Sequence, residues 1–237
     1  MSSRRPRVLC AGIYLADREN TAEHITRVFS RSQRVDLVQR WLALTGGQGG
    51  RTDIPGTVGV VPEPTPKLTL INRLLTDVSA FDWVILCDDD IEVADGFVDA
   101  LIAMAKRFDF ALCQPARTHD SYVSHCFVAR LSGLLARQTR FVEIGPLVCV
   151  RADAAPLLFP FNENCRMGWG LDFVWPVIIE NAGLRMGIID SVPVAHRMRK
   201  PITNYRHEDA HREMAWTLAA NRHLTHQDAF QIVESFL

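Results

Sequence analysis

Three adjacent aspartates, Asp88, Asp89 and Asp90, close the apolar run Trp83 to Cys87. Neighbouring carboxylates repel one another, and a merely solvated acidic turn would sit among polar residues. Here a core-like strand precedes the cluster and Ile91 follows it. A hard divalent cation at the strand exit would offset the repulsion. Side chains alternate along an extended chain, so Asp88 and Asp90 can face one side together. They read as metal ligands, with Asp89 beside them. Magnesium or manganese held there suits diphosphate chemistry, because the ion bridges two phosphates and neutralises a leaving nucleoside diphosphate. The D-x-D pattern is short, and an idle acidic turn is the alternative.

A second constellation is Arg166 to Trp175, RMGWGLDFVW. Gly168 and Gly170 allow tight backbone beside a ligand, and Trp169 offers a flat surface for sugar C–H groups. Asp172 opens the following helical segment. It can cap that helix or take the proton of an acceptor hydroxyl as general base, and one carboxylate can do both. His196 follows the strand-like run SVPVA. A lone histidine is usually structural or exposed, but imidazole suits manganese as well as zinc, and a second strand exit makes His196 the third candidate metal ligand. Gln114 ends a short apolar run and could border a donor sugar. Glu143 precedes the run GPLVCV and could face cleft or solvent. His207, His211, His223 and His226 lie in a polar tail and read as surface residues.

The elements that must position these groups follow from the apolar pattern. Arg7 to Tyr14, Val35 to Thr45, Trp83 to Cys87, Ala111 to Gln114, Gly145 to Val150, Met186 to Ile189 and Val192 to Ala195 read as strands. Asp17 to Phe29, Lys67 to Ser79, Ala94 to Phe108, Asp172 to Ala182 and Glu208 to Arg222 read as helices. Gly46 to Pro66, rich in Gly and Pro, reads as one long irregular segment and a candidate flap. Strands alternating with helices predict an α/β fold with a mainly parallel sheet flanked by helices. In such sheets ligands bind at the carboxyl ends of the strands, where Asp88 and His196 fall.

The chain has 237 residues, 48% of them hydrophobic, enough for one sizeable core. Its net charge of -1 gives no pointer to nucleic acid as a bulk polyanion partner. No apolar run is long enough to span a bilayer, so the expected location is cytoplasmic, or peripheral to a membrane through a partner. The six cysteines show no C-x-x-C spacing, and Cys10, Cys87 and Cys149 lie in strand-like runs as buried thiols. Neither a Walker phosphate loop nor G-x-G-x-x-G occurs.

In this order the parts resemble the GT-A glycosyltransferases. WVILCDDDIEV, CQPA, FVEIGPLVCVRADA, MGWGLDF and GIIDSVPVAH are further similar to a sparsely characterised plant and bacterial family once labelled lysine-ketoglutarate reductase trans-splicing related. That label carries no chemistry for these residues. The resemblance spans about Lys67 to His196. It implies a single domain over residues 1–237, with a nucleotide-sugar-binding half (1–113) and an acceptor-binding half (114–237). It makes Asp88 and Asp90 the metal-binding pair, His196 the late metal ligand and Asp172 the acceptor-side acid. Lys67 corresponds to a lysine ahead of the helix before the D-x-D, within reach of the nucleotide. The family carries Glu-Asp where this chain has Asp89-Asp90, which keeps the acidity. The implied donor is a UDP- or GDP-sugar, the metal Mn2+ or Mg2+, the acceptor unspecified, and the reaction inverting with Asp172 as base.

Two other readings compete. A sugar nucleotidyltransferase would carry a glycine-rich basic loop after the first strand, where this chain reads AGIYLADREN. A non-catalytic module binding a nucleotide sugar or glycan would not need an acid at Asp172 together with the metal set.

Overall fold

The computed structural model describes residues 4–199 and 207–237, the side chain of His207 excepted. In chain order the elements are β1 (Arg7–Leu15), α1 (Ala22–Phe29), β2 (Asp36–Leu44), β3 (Thr57–Val61), α2 (Lys67–Leu74), β4 (Trp83–Cys87) and α3 (Phe97–Arg107). There follow β5 (Phe110–Arg117), β6 (Ala136–Thr139), β7 (Leu147–Arg151), α4 (Ala155–Leu158), α5 (Leu171–Asn181), β8 (Arg185–Val194), α6 (His207–Ala220), α7 (His226–Ala229) and β9 (Ile232–Phe236).

One nine-stranded sheet runs in the order β3-β2-β1-β4-β7-β5-β8-β6-β9. Strands β3, β2, β1 and β4 are parallel, as are β5 and β8, while β7 and β6 run against the rest. The carboxyl ends of β1, β4, β5 and β8 therefore share one edge with the amino end of β7. The mixed α/β architecture expected from the pattern is present. Alternate residues of β1 divide between two cores: Val8 and Cys10 pack with α1 and α3, Leu9 and Ala11 with α2, α4 and α5. This alternation buries both faces of the central strands and leaves chemistry only to their ends.

Several boundaries differ from the expectation, for physical reasons. Gly46 to Pro66 is not one irregular stretch: Thr57–Val61 adds to the sheet edge as β3. Its alternately exposed residues, Val58 and Val60 among them, give the weak pattern of an edge strand. The remaining loop lies against the β1 exit, where Arg51 N–H bonds the Ala16 carbonyl at 3.1 Å. The helix expected to reach Ser79 ends at Leu74, and Val78–Ala80 forms a separate 3-10 turn after Asp77 at φ 54°. Strand β5 continues through Pro115, which cannot donate to the ladder, and the register with β8 shifts at that point. The two late strands are one, β8. The C-terminal β9, absent from the sequence reading, completes the sheet against β6. The cysteines are free, Cys126 alone among them exposed. Among the described residues no helix is long and apolar enough to cross a membrane.

Candidate active site

The acidic cluster leaves β4 at the shared edge, and each aspartate meets a different environment. Asp88 donates its backbone N–H to the Pro146 carbonyl at 2.7 Å, which ties the β4 exit to the entry of β7. Its carboxylate pairs with Lys67 Nζ at 2.6 Å. Gly145 lies against this pair: a Cβ there would stand 3.2 Å from Asp88 Oδ2 and 3.5 Å from Lys67 Nζ. Lys67, the first residue of α2, is thus tied to the cluster.

Asp89 is buried and braces the neighbouring strand. Its Oδ2 accepts the Leu15 N–H at 2.8 Å, and its carbonyl accepts the Thr21 N–H at 2.6 Å. The Asp89 side chain, expected beside the metal pair as part of the cofactor-binding cluster, is instead spent on the β1 exit and on Arg199. Burial pushes its carboxyl up to about 6, with the Arg199 charge pulling the other way. Asp90 faces His196, with Nε2 3.3 Å from Oδ2. Its Oδ1 is buried without a hydrogen-bond partner. Burial alone would raise Asp90, but the His196 hydrogen bond and the His196 and Arg199 charges hold it below the usual range.

Behind the aspartates stands a group that only the structure reveals as central. Arg117, the last residue of β5, is fully buried. Its Nη2 donates to the Gly145 carbonyl at 2.5 Å and lies 3.3 Å from Glu143 Oε2. Burial lowers its basicity, while Glu143, Asp88 and Asp90 raise it. Glu143, left open as cleft or solvent, is buried in the cluster, and burial raises its carboxyl. A charged residue at the exit of the run ALCQPAR was the available signal for Arg117, by the same rule that marks Asp88. Arg199 sits in a polar run and carried no signal.

Gln114 is fully buried, and its Oε1 accepts the Glu143 N–H at 2.5 Å. It fixes the Glu143 segment and has no surface with which to border a sugar.

Asp172 lies in the first turn of α5, with Gly170 at the cap position and no side-chain cap bond. It is therefore not the N-cap. Its Oδ1 is sealed from solvent without a partner. Its carboxyl is pushed up to about 7, first by burial and then by the Glu143 charge, with the Ile144 amide and Lys67 opposing. Lys67 thus pairs with Asp88, and its charge also acts on Asp172. Gly168 has φ 89°, and a Cβ there would come within 2.6 Å of Ile144, so glycine is needed for both backbone and space. Trp169 is half-buried and meets His211 of α6 edge to face at 5.2 Å. Gly170 packs against Met214 and Leu218 of the same helix. His211, His223 and His226 are exposed as expected, and the His207 side chain lies outside the described residues.

Buried polar atoms without partners concentrate here. Among the described residues they are Asp90 Oδ1, Arg117 Nε, Glu143 Oε1, Asp172 Oδ1, Ser191 Oγ and Thr217 Oγ1, and the first four belong to this cluster. Such atoms are costly unless a ligand or water completes them. Among the described residues no group of three or more His, Cys, Asp and Glu side chains is arranged to hold a metal. Asp90 and His196 converge, whereas Asp88 is turned to Lys67. Two protein ligands still fit Mg2+ or Mn2+ arriving with a diphosphate, since such ions take one or two carboxylates and complete their shell with phosphate oxygens and water.

No protein-family model matches the sequence, and no curated protein matches it. The fold does match solved structures of GT-A glycosyltransferases. One is GalNAc-T7, solved with UDP, GalNAc and Mn2+, at TM-score 0.60 and 10% identity over 85% of this chain and 45% of that one. Another is residues 1-349 of S. aureus TarS, in complex with UDP-GlcNAc, at TM-score 0.59 and 9% identity over 89% of this chain and 65% of that one. The chain thus spans less than two thirds of each.

Proposed function

We propose that this protein is a metal-dependent glycosyltransferase that moves a sugar from a nucleotide-sugar donor to an acceptor hydroxyl. The observation carrying this reading is the set of unpartnered buried atoms of Asp90, Arg117, Glu143 and Asp172. They come from four separate chain segments that meet at the carboxyl edge of a GT-A sheet, where ligands bind in such folds. The neighbours solved with UDP or UDP-GlcNAc favour UDP over GDP as the donor nucleotide, and the one solved with Mn2+ supports a divalent ion.

In this reading Asp90 and His196 hold the ion, with Asp88 beside them. The ion supplies neutralisation of charge on the leaving diphosphate. Lys67 adds a second positive charge on the same side and holds Asp88 in place. Arg117 keeps the Gly145 carbonyl and Glu143 in register behind the aspartates. Asp172 accepts the proton of the acceptor hydroxyl as the new bond forms. Its carboxyl near 7 suits a base working at neutral pH, because proton transfer is most effective when pKa and pH are close. With Asp172 as general base the acceptor attacks directly, the displacement is single and the anomeric centre inverts. Trp169, Gly168 and Gly170 shape the acceptor side.

Calorimetry with UDP tests the site, with and without Mn2+. Mn2+ should strengthen UDP binding by the wild type, and Asp90→Ala should lose that enhancement while melting within a few degrees of the wild type. Equal Mn2+ enhancement in the variant would remove Asp90 from the metal site. Binding without transfer from any UDP- or GDP-sugar in a product assay would reduce the protein to a binding module.

A further inference from the structure

Arg199 lies over the acidic pair from outside. Its Nη2 bonds Asp89 Oδ1, its Nε is 3.2 Å from Asp90 Oδ2, and its Nη1 reaches the Glu19 carbonyl at 3.1 Å. Two residues earlier, Arg197 is anchored by Glu92 and Asp120, the latter at 2.6 Å. The short chain after β8 therefore turns one arginine outward and the other onto the carboxylates. The oxygen that faces His196 Nε2 at 3.3 Å is the same Asp90 Oδ2 that Arg199 contacts. A divalent ion held between Asp90 Oδ2 and His196 Nε2 would stand a few ångströms from the Arg199 guanidinium, and like charges that close repel strongly in a partly buried site.

We propose that Arg199 is the resident counter-ion of Asp89 and Asp90 and that a divalent cation binds by exchanging with it. The inference rests on the metal-dependent reading above. Exchange explains how adjacent acids stay folded and ionised before any ion arrives: the chain brings its own cation. It also makes metal affinity a shared property of the site and of the segment after β8. Every contact that seats Arg199 lowers apparent metal affinity by the fraction of molecules whose site is open. By reciprocity, bound metal weakens the hold on Arg199.

Mn2+ binding without nucleotide, followed by the EPR signal of the free ion, tests the exchange without any turnover. Arg199→Met should bind Mn2+ at least tenfold more tightly than the wild type, and Arg199→Lys should fall between them. Equal or weaker binding by Arg199→Met would overturn the exchange while leaving the metal site standing. No Mn2+ binding by either protein, with saturating UDP present as well as absent, would overturn the metal reading and the exchange with it. If Arg199→Met does not fold, the wild type still decides. Trypsin should cleave after Arg199 faster in Mn2+ than in EDTA, with fragments assigned by mass spectrometry. Equal rates in the two conditions would refute the exchange.

Discussion

Replacing Arg117 by Met removes a fully buried guanidinium but keeps an unbranched side chain of similar reach. The Gly145 and Pro115 carbonyls lose their donors, and Glu143 loses its ion-pair partner. Breaking a buried pair from one side costs about 3–5 kcal/mol, because the remaining charge is left uncompensated. Two effects reduce that figure. The desolvation of Arg117 itself disappears, and Glu143, already raised by burial, can escape by taking up a proton. Each pH unit below its new pKa relieves about 1.4 kcal/mol of that strain. The expected loss is therefore about 3 kcal/mol at pH 7.5 and smaller at pH 5. The sign follows from linkage. A carboxyl raised in the folded state favours folding below its unfolded pKa, and that contribution vanishes as pH rises through the folded value. At pH 7.5 the melting temperature should drop by about 6–12 °C for a domain of this size. Urea unfolding followed by tryptophan fluorescence at the two pH values measures both terms. A loss below about 1 kcal/mol, or one that does not grow with pH, would show that Arg117 is not the charge on which Glu143 depends.

Asp172→Asn should lower turnover about a hundredfold or more, the usual scale for a lost general base, with donor binding unchanged. Wild-type kcat/KM should rise as pH increases through about 7, where the Asp172 carboxyl ionises, and the variant should lack that limb. NMR of the product should show an inverted anomeric centre, and retention would rule out single displacement. Gly168→Ala should destabilise the protein by about 1–3 kcal/mol in thermal unfolding, from the left-handed backbone and the contact with Ile144. A loss under about 0.5 kcal/mol would mean that the segment carrying Trp169 relaxes freely.

The amino-acid sequence by itself determined the elements and the edge at which to look. The run WVILC, short and wholly apolar, reads as a buried strand, which puts the aspartates after it at its exit, as His196 stands after β8. Asp172 was placed in the first turn of its helix by the same local pattern, and Lys67 at the start of α2. Those inferences need only the periodicity of neighbours a few residues apart. β9 escaped them because edge strands bury too little to show a pattern, and β5 was cut short because Pro115 reads as a stop unless its partner strand is known.

Only the tertiary structure decided what each charge does. Asp88, Asp89 and Asp90 look alike in sequence, yet one meets Lys67, one braces Leu15 and Arg199, and one faces His196. Gln114 turned from a sugar contact into an internal strut, and Glu143 from an open question into a buried acid beside Arg117. The deciding partners are distant along the chain: Arg117 and Glu143 are 26 residues apart, Asp89 and Arg199 110. The antiparallel insertion of β7 between β4 and β5 brings Gly145 and Glu143 to the aspartates, and no local pattern encodes which strand will lie beside which. The identity of a side chain sets the chemistry it can do, but its charge state and its partner are properties of the low-dielectric neighbourhood that packing creates.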